Sequence, residues 1–425
     1  LPSTVVLVNI EESTLTESTA LLSSAQAAAR LGVKPATLYA YVSRGLLVRH
    51  PSPDGRRSLF DPADVDRLER RSAGRHGAPS DVIVGSELAL VDPAERSLWY
   101  RGVDALQLAR EHSFEAVCAL LWAPPASGRS RGRRTDWHAD APTSRVATRS
   151  QSGLARGVSA VDRLSVCTSA IASTHLHTGP RELMACLVDV LPASQSSGDE
   201  RFAVRLWTKL TTRPVSQAWV VALDATLSLL CAPRLTTASR AARVAAQGGT
   251  PLASSVASAM YAAVAPVDAY AAIETALATA SGDGTMRAAD ALDPDAWTAA
   301  FSRDPYRTGD PRTNVLLSLV AAVAPDDVAV ANALSDELRR RGADHPTASY
   351  AAAVLSWSAG MRPGSGAVIA RLANVAAWIA HALEEYRLPT PYRLRLAYTG
   401  PAPQGGTATT PRRQIDAVLD YLARE

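Results

Sequence analysis

Cysteine is scarce: Cys118, Cys167, Cys186 and Cys231 are the only four in 425 residues, and none is paired at CxxC spacing. That spread indicates neither a zinc site nor a disulfide framework, and buried free thiols in a reducing cytoplasm are the expectation. Long apolar runs are missing too. The longest, around Ala218 to Ala232, is broken by Asp224, so nothing reaches the ~20 residues that cross a bilayer. Leu1 to Thr19 has no basic segment leading into an apolar stretch and a small-residue cleavage site, and it does not read as a secretory signal. Excess charge of one sign is absent as well: the net charge is +3, which confines any nucleic-acid footprint to a local patch. Strand-type runs are few and short, and no solenoid repeat is visible.

What is present favours helix. The length of 425 residues suits two or three domains, and 47% of residues are apolar against 20% charged. The stretches Arg240 to Gln247 and Tyr261 to Ala280 are rich in alanine, the residue that loses least on entering a helix. Residues 1–18 read as a tail, 19–74 as a small front domain, and 81–425 as a larger body.

In the front domain Ser23 and Gln26 have capping-box spacing ahead of Ala27, Ala28 and Leu31, with Gly32 as a stop. A second short helix follows: Pro35 suits its first turn, Leu38 and Val42 fall four apart, and Gly45 closes it. Two short helices joined by residues 31–34 make a helix-turn-helix. Leu46 to Arg49, the turn Pro53-Asp54-Gly55, and Arg57 to Phe60 read as a two-stranded wing. Asp61 and Pro62 open a third helix with Val65 and Leu68 facing inward. The stretch "AARLGVKPATLYAYVSRGLL", the basic turn "DGRR" and "DPADVDRL" resemble the MerR-type winged helix. DNA contact would then fall to Lys34, Thr37, Tyr39, Tyr41 and Arg44 on the second helix and to Arg56 and Arg57 on the wing. A protein-binding or vestigial module is the alternative. With so few basic residues a single copy would bind weakly, so DNA binding would need a dimer.

From Asp81 the pattern changes. Strands are expected at Val82 to Val84, Leu88 to Val91 and Leu98 to Tyr100, and helices dominate afterwards. Pro124 to Gly153, rich in Pro, Ser, Gly and Arg, reads as a flexible loop. The segment "ERSLWYRGVDALQLAREHSFEAVCALLW" resembles the opening of citrate synthases, and "SLLCAPRLTTASRAARVAA", "YRTGDPRT", "AAWIAHALEEY" and "YRLRLAYTGP" follow in the family's order. The resemblance covers Asp81 to Pro401 and implies an all-α fold, a large and a small helical domain with a cleft between them, preceded here by the winged helix-turn-helix. It also implies a dimer that condenses acetyl-CoA with oxaloacetate and hydrolyses the thioester, with no metal and no bound cofactor.

That reaction needs a carboxylate base, a histidine at the enolate, a histidine at the ketone and arginines for the dicarboxylate. By resemblance Asp268 stands at the enolate histidine, with Ala269 and Tyr270 in place of two glycines. Arg303 stands at the ketone histidine and Ser349 at the base, while Pro233 and Thr236 replace an earlier histidine and asparagine. A carboxylate at Asp268 would oppose developing negative charge, and a guanidinium does not readily donate a proton. A serine hydroxyl needs an activating base. Arg312 and Arg393 match carboxylate-binding positions, and a third such arginine has become Asn374. In the family the equivalent of Arg393 reaches the neighbouring subunit; packing and surface ion pairs are the other reading of both arginines. His175 and His177, two apart, do not share a helix face; His381 belongs to the "WIAH" motif, and His345 adjoins Pro346 near Ser349.

Three functions are consistent with this. The first is an impaired homologue that pairs with an active citrate synthase paralogue, or senses an acyl-CoA or other metabolite, and regulates through its front domain. The second is an active acyl-CoA condensing enzyme with a rearranged set such as Asp268 with Arg303. The third is a DNA-binding regulator that uses the helical body as its dimeriser.

Overall fold

A computed structural model describes residues 22–30, 38, 42, 47, 49–51, 58–61, 65, 84–124, 137–155, 157–174, 177–195, 201–263, 267–293 and 300–388. The chain divides into two compact units, Leu1–Gly85 and Ser86–Glu425.

In the front unit, strand β1 (Leu22–Ser23) leads into helix α1 (Ser24–Arg30). The capping box forms as the spacing predicts: Gln26 N–H donates to Ser23 Oγ at 3.3 Å, and Ser23 N–H donates to Gln26 Oε1 at 2.9 Å. Ala27, Ala28, Leu38, Leu47, Phe60 and Val65 form one core, with Leu22 and Val42 packed against it. Leu31 and Leu68 lie outside the described residues. The wing strands are β2 (His50–Pro51) and β3 (Ser58–Phe60), antiparallel with His50 opposite Leu59. The first strand thus starts one residue beyond the Leu46 to Arg49 expected, and β1 adds a third strand, Leu22 opposite Phe60. That strand carries Leu22 onto the small core, which a two-stranded ribbon leaves open.

The body opens with a meander, β4 (Ala89–Asp92), β5 (Ser97–Tyr100) and β6 (Val103–Asp104). Arg101 (φ 46°) and Gly102 (φ 78°) are both left-handed, the geometry of a tight hairpin turn, which explains the Tyr-Arg-Gly motif. Val84 is not in a strand, and 81–83 lie outside the described residues. Asp104 then caps α2 (Ala105–Glu111), accepting from Leu106 N–H at 2.7 Å and Gln107 N–H at 3.0 Å.

Helix α3 (Phe114–Trp122) follows Ser113, whose side chain makes no cap bond. The orphan N–H of Phe114 goes instead to Asp224 Oδ1 at 3.0 Å. Asp224 is the residue that breaks the long apolar run; burial pushes its carboxyl up to about 7 against the pull of that N–H.

The expected loop over Pro124 to Gly153 is corrected in its second half: Ala141–Gln151 is a helix, α4. Asp140 caps it by accepting from Thr143 N–H at 2.9 Å, Pro142 sits in its first turn, and Thr143 and Ala147, four apart, are buried. Trp137 anchors the segment, stacked on Trp122 at 5.3 Å and set edge-on to Phe202 at 5.2 Å. Residues 125–136 lie outside the described set.

The rest is helical: α5 (Ala160–Ala172), α6 (Pro180–Asp189), α7 (Phe202–Leu210), α8 (Gln217–Leu230), α9 (Thr237–Gln247) and α10 (Leu252–Ala262). They are followed by α11 (Val267–Asp283), α12 (Thr285–Ala291), α13 (Pro311–Ala321), α14 (Pro325–Arg340), α15 (Ala348–Ser358) and α16 (Ser365–Glu385). Helix α16 is the hub, touching α3, α5, α6, α8, α9, α10, α11 and α15. Its 21 residues are long and apolar enough to cross a membrane by length and composition, which counting uninterrupted apolar residues does not detect, yet 89% of its most apolar window is buried within the body. A helix apolar on all sides is what the middle of a large helical core requires. All four cysteines are buried and free.

Candidate active site

Helix α13 begins with Asp310 as its cap and Pro311 in its first turn, the signature carried by "GDPR". This local geometry folds the Arg312 side chain back onto its own cap. Arg312 Nε donates to Asp310 Oδ1 at 2.9 Å and Nη2 to Asp310 Oδ2 at 2.7 Å, a fork-to-fork pair, while Nη1 reaches Leu229 O at 3.3 Å. The side chains are 12% and 4% exposed. Burial draws the Arg312 guanidinium down, but the Asp310 carboxylate outweighs it and holds the pKa above its ordinary value. Asp310 Oδ2 also accepts from Ala348 N–H at 3.1 Å, so one carboxylate joins Arg312 to the start of α15.

Ser349 is in that first turn of α15, behind Thr347 as cap. Opposite it stands Tyr270 of α11, which lines the same narrow space; burial raises the phenol, with Ser349, Arg312 and Arg371 pulling the other way. Ala269, Tyr270, Ile273, Ala300, Ser349 and Ala353 close round a void of about 10 Å³, room for a single water at most. Tyr270 reaches this far because α16 has a glycine where the two helices meet. A Cβ on Gly366 would lie 2.8 Å from Tyr270 Cδ1 and 3.1 Å from Glu274 Oε1. Glu274 secures the contact, accepting from Gly364 N–H at 2.6 Å and Gly366 N–H at 3.0 Å. Asp268 lies in the first turn of α11; its side chain is outside the described set.

Arg303 does not join this cluster. Its loop is held close, through Ser302 N–H to His345 O at 2.9 Å and Thr347 N–H to Ala300 O at 2.9 Å. The side chain turns outward, 70% exposed, and Nε pairs with Asp344 Oδ1 at 2.6 Å. His345 packs beside Gly309, and burial together with Arg339 and Arg303 lowers its pKa. Tyr100 and Tyr306 border Arg312 instead, their phenols raised chiefly by burial. Arg393, His175 and the residues proposed to meet DNA, Lys34, Thr37, Tyr39, Tyr41, Arg44, Arg56 and Arg57, lie outside the described residues.

The segment before α9 completes the neighbourhood. Thr236 caps α9 in a reciprocal pair with Ser239, at 3.2 Å and 2.6 Å. Pro233 is buried, and the ring of His381 faces the backbone of Pro233 and Arg234. His381 Nδ1 lies 3.1 Å from Arg243 Nη1; burial, then that guanidinium, lowers the imidazole to about 4 and keeps it neutral. Arg243 is itself 1% exposed, between Glu384 Oε2 at 2.6 Å and Glu385 Oε2 at 2.8 Å. Glu384 also accepts from Ser86 Oγ at 2.9 Å and Glu87 N–H at 2.8 Å. No group of three or more His, Cys, Asp or Glu with metal-binding geometry occurs among the described residues.

The geometry gives a buried Arg312–Asp310 pair, a tyrosine closed onto a serine and a neutral buried histidine. It brings Ser349, Tyr270 and Arg312 together and leaves Arg303 apart. Tyr270 stands, as the resemblance indicates, in space that a family glycine leaves open, whereas Asp310 and Glu274 are neighbours not singled out from the sequence, although Asp-Pro ahead of a helix pointed to Asp310 as a cap.

Residues 79–395 match the family described as citrate synthase, C-terminal domain, and residues 21–72 match a helix-turn-helix domain. No curated protein matches the chain. Among solved structures, a citrate synthase of the archaeon Thermoplasma acidophilum, in ternary complex with carboxymethyl coenzyme A and oxaloacetate, aligns with TM-score 0.60 and 18% identity over 77% of this chain and 96% of its own. The citrate synthase of Thermotoga maritima aligns with TM-score 0.56 and 18% identity over 76% and 96%. That of Pyrobaculum aerophilum gives 0.55 and 18% over 78% and 93%. Identity at this level speaks for a common fold, and the family match spans well over half of the 425 residues. The chain therefore belongs to the citrate synthase family and carries a helix-turn-helix domain ahead of the family body.

Proposed function

We propose that this chain keeps the citrate synthase scaffold but is impaired in condensation, and serves as a regulatory or partner subunit that responds to a metabolite such as an acyl-CoA. The observation that carries this reading is the closure of Tyr270 on Ser349 round a void of about 10 Å³. By resemblance the base belongs there, and the Ser349 hydroxyl, facing a phenol raised by burial, has no activating base beside it among the described residues. Arg303, at the position of the ketone histidine, is engaged by Asp344 at the surface. This counts against an active rearranged pair of Asp268 with Arg303. Losing one catalytic group commonly costs a factor of ~10² to 10⁴. Purified protein given acetyl-CoA, oxaloacetate and a thiol reagent is expected to release free CoA no faster than the mixture without protein. Sustained, protein-proportional release would overturn the reading.

The assembly would be a homodimer, or a heterodimer with an active citrate synthase paralogue completed by Arg393, and the four buried thiols suit the cytoplasm. In this reading the front unit is a MerR-type module that contacts DNA. The helix-turn-helix match over 21–72 and the small core behind the wing support that role. Fluorescence anisotropy on a DNA fragment from upstream of its own coding region should show binding that weakens steeply with salt. Lys34→Ala with Arg44→Ala should reduce it by roughly tenfold or more. Equal binding by the double variant would remove the DNA role from this helix.

A further inference from the structure

Away from the Arg312 cluster, the start of α5, the end of α7 and the start of α16 surround a cavity of about 250 Å³. Val161, Leu191, Leu210 and Val368 give it apolar walls, and Lys209 and Arg362 are its cations. Neither cation has a carboxylate partner among the described residues. Lys209 Nζ donates to Asp189 O at 3.2 Å, and Arg362 Nη1 to Pro192 O at 3.3 Å, both backbone carbonyls.

The nearby carboxylates are already engaged. Asp189 pairs with Arg205 at 2.6 Å, Asp162 accepts from Ser159 Oγ at 2.8 Å, and Glu274 holds the amides of Gly364 and Gly366. Helices α5 and α16 also begin at the wall, the amides at the start of α16 being taken by Glu274. Burial lowers the pKa of Lys209, with Asp189 opposing and Arg205 adding to the shift. A half-buried ammonium and an arginine fork, neither in an ion pair among the described residues, stand beside an apolar wall and form a pocket with a charged end and a greasy end.

We propose that this cavity binds a short-chain aliphatic carboxylate, its head group between Lys209 and Arg362 and its hydrocarbon against Val161, Leu191, Leu210 and Val368. An arginine fork matches a carboxylate, and the apolar wall is what separates such an acid from a bare inorganic anion. The site is distinct from the Ser349 and Arg312 cluster, so it stands whether or not the chain releases CoA.

Ligand-observed NMR on the full-length protein tests it, with butyrate, its neutral isostere butyramide and inorganic phosphate as probes at about 10 mM. Saturable butyrate binding is expected, with butyramide and phosphate each weaker by roughly tenfold or more. Lys209→Gln with Arg362→Gln should weaken butyrate to the same degree. Equal binding of butyramide, phosphate binding as tight as butyrate, full retention in the double variant, or no butyrate signal would each overturn the proposal. The probe comparison uses the unaltered protein and decides the matter even where the double variant folds poorly.

Discussion

Replacing Arg243 by methionine is expected to destabilise the body by about 3–5 kcal/mol, measured as a fall in the urea midpoint of unfolding. The reason is what remains behind. Arg243 is 1% exposed and lies between Glu384 and Glu385, the latter fully buried. Methionine fills much of the volume but leaves two carboxylates in a low-dielectric core without their cation. Burial opposes the charge on Glu384; Arg243, with Glu87 N–H and Ser86, outweighs it and holds the pKa below the usual glutamate value. Such a group stabilises the fold above the ordinary glutamate pKa, and the contribution is lost as pH falls through the depressed folded value. With the cation gone the sign reverses, and the variant should recover part of its stability on mild acidification while the parent protein does not. A midpoint unchanged within error would show that water already reaches this cluster.

The second large effect is expected at Asp310. Asp310→Ala leaves Arg312 buried without a counter-ion, uncaps α13 and deprives Ala348 N–H of its acceptor. The combined loss should also be about 3–5 kcal/mol. Asp310→Asn separates the contributions: its single amide oxygen can still accept from one of the two backbone N–H groups, that of Arg312, which bonds Oδ1, or that of Ala348, which bonds Oδ2, but carries no charge, so an intermediate loss is expected. If Asn and Ala are equally harmful, the ion pair accounts for the whole effect. If Asn equals the parent, the carboxylate serves only as a cap.

Much of the fold is legible in the residues. Ser23 and Gln26 announce α1 because a capping box is a local structure, satisfied by atoms three residues apart. Leu38, Phe60 and Val65 reveal the front core because helical and strand periodicities place them on one side. Helix α4 was hidden because its inward face is only Thr143, Ala147 and the half-buried Val146; the packing of Trp137 against Trp122 and Phe202 gives the segment its place. The site is less legible. The family resemblance marks Ser349 and Arg312, but Tyr270, Asp310 and Glu274 matter through contacts between helices far apart in sequence. The outward turn of Arg303 depends on Asp344, forty-one residues away.

Helix α16 has a consequence for how the newly made chain is sorted. By length and hydropathy it would pass for a segment destined for lipid. Arg371 lies within it, over the Trp378 ring and bonded to Met260 O at 3.2 Å, while His381, Glu384 and Glu385 cluster at its end. A charged residue at the centre of a lipid-embedded helix costs about 2.5–3.5 kcal/mol, and Arg371, a third of the way along α16, would carry part of that cost in lipid but finds partners in the helical core. The same guanidinium that ties α16 to α10 is thus the group in that helix that lipid would tolerate least.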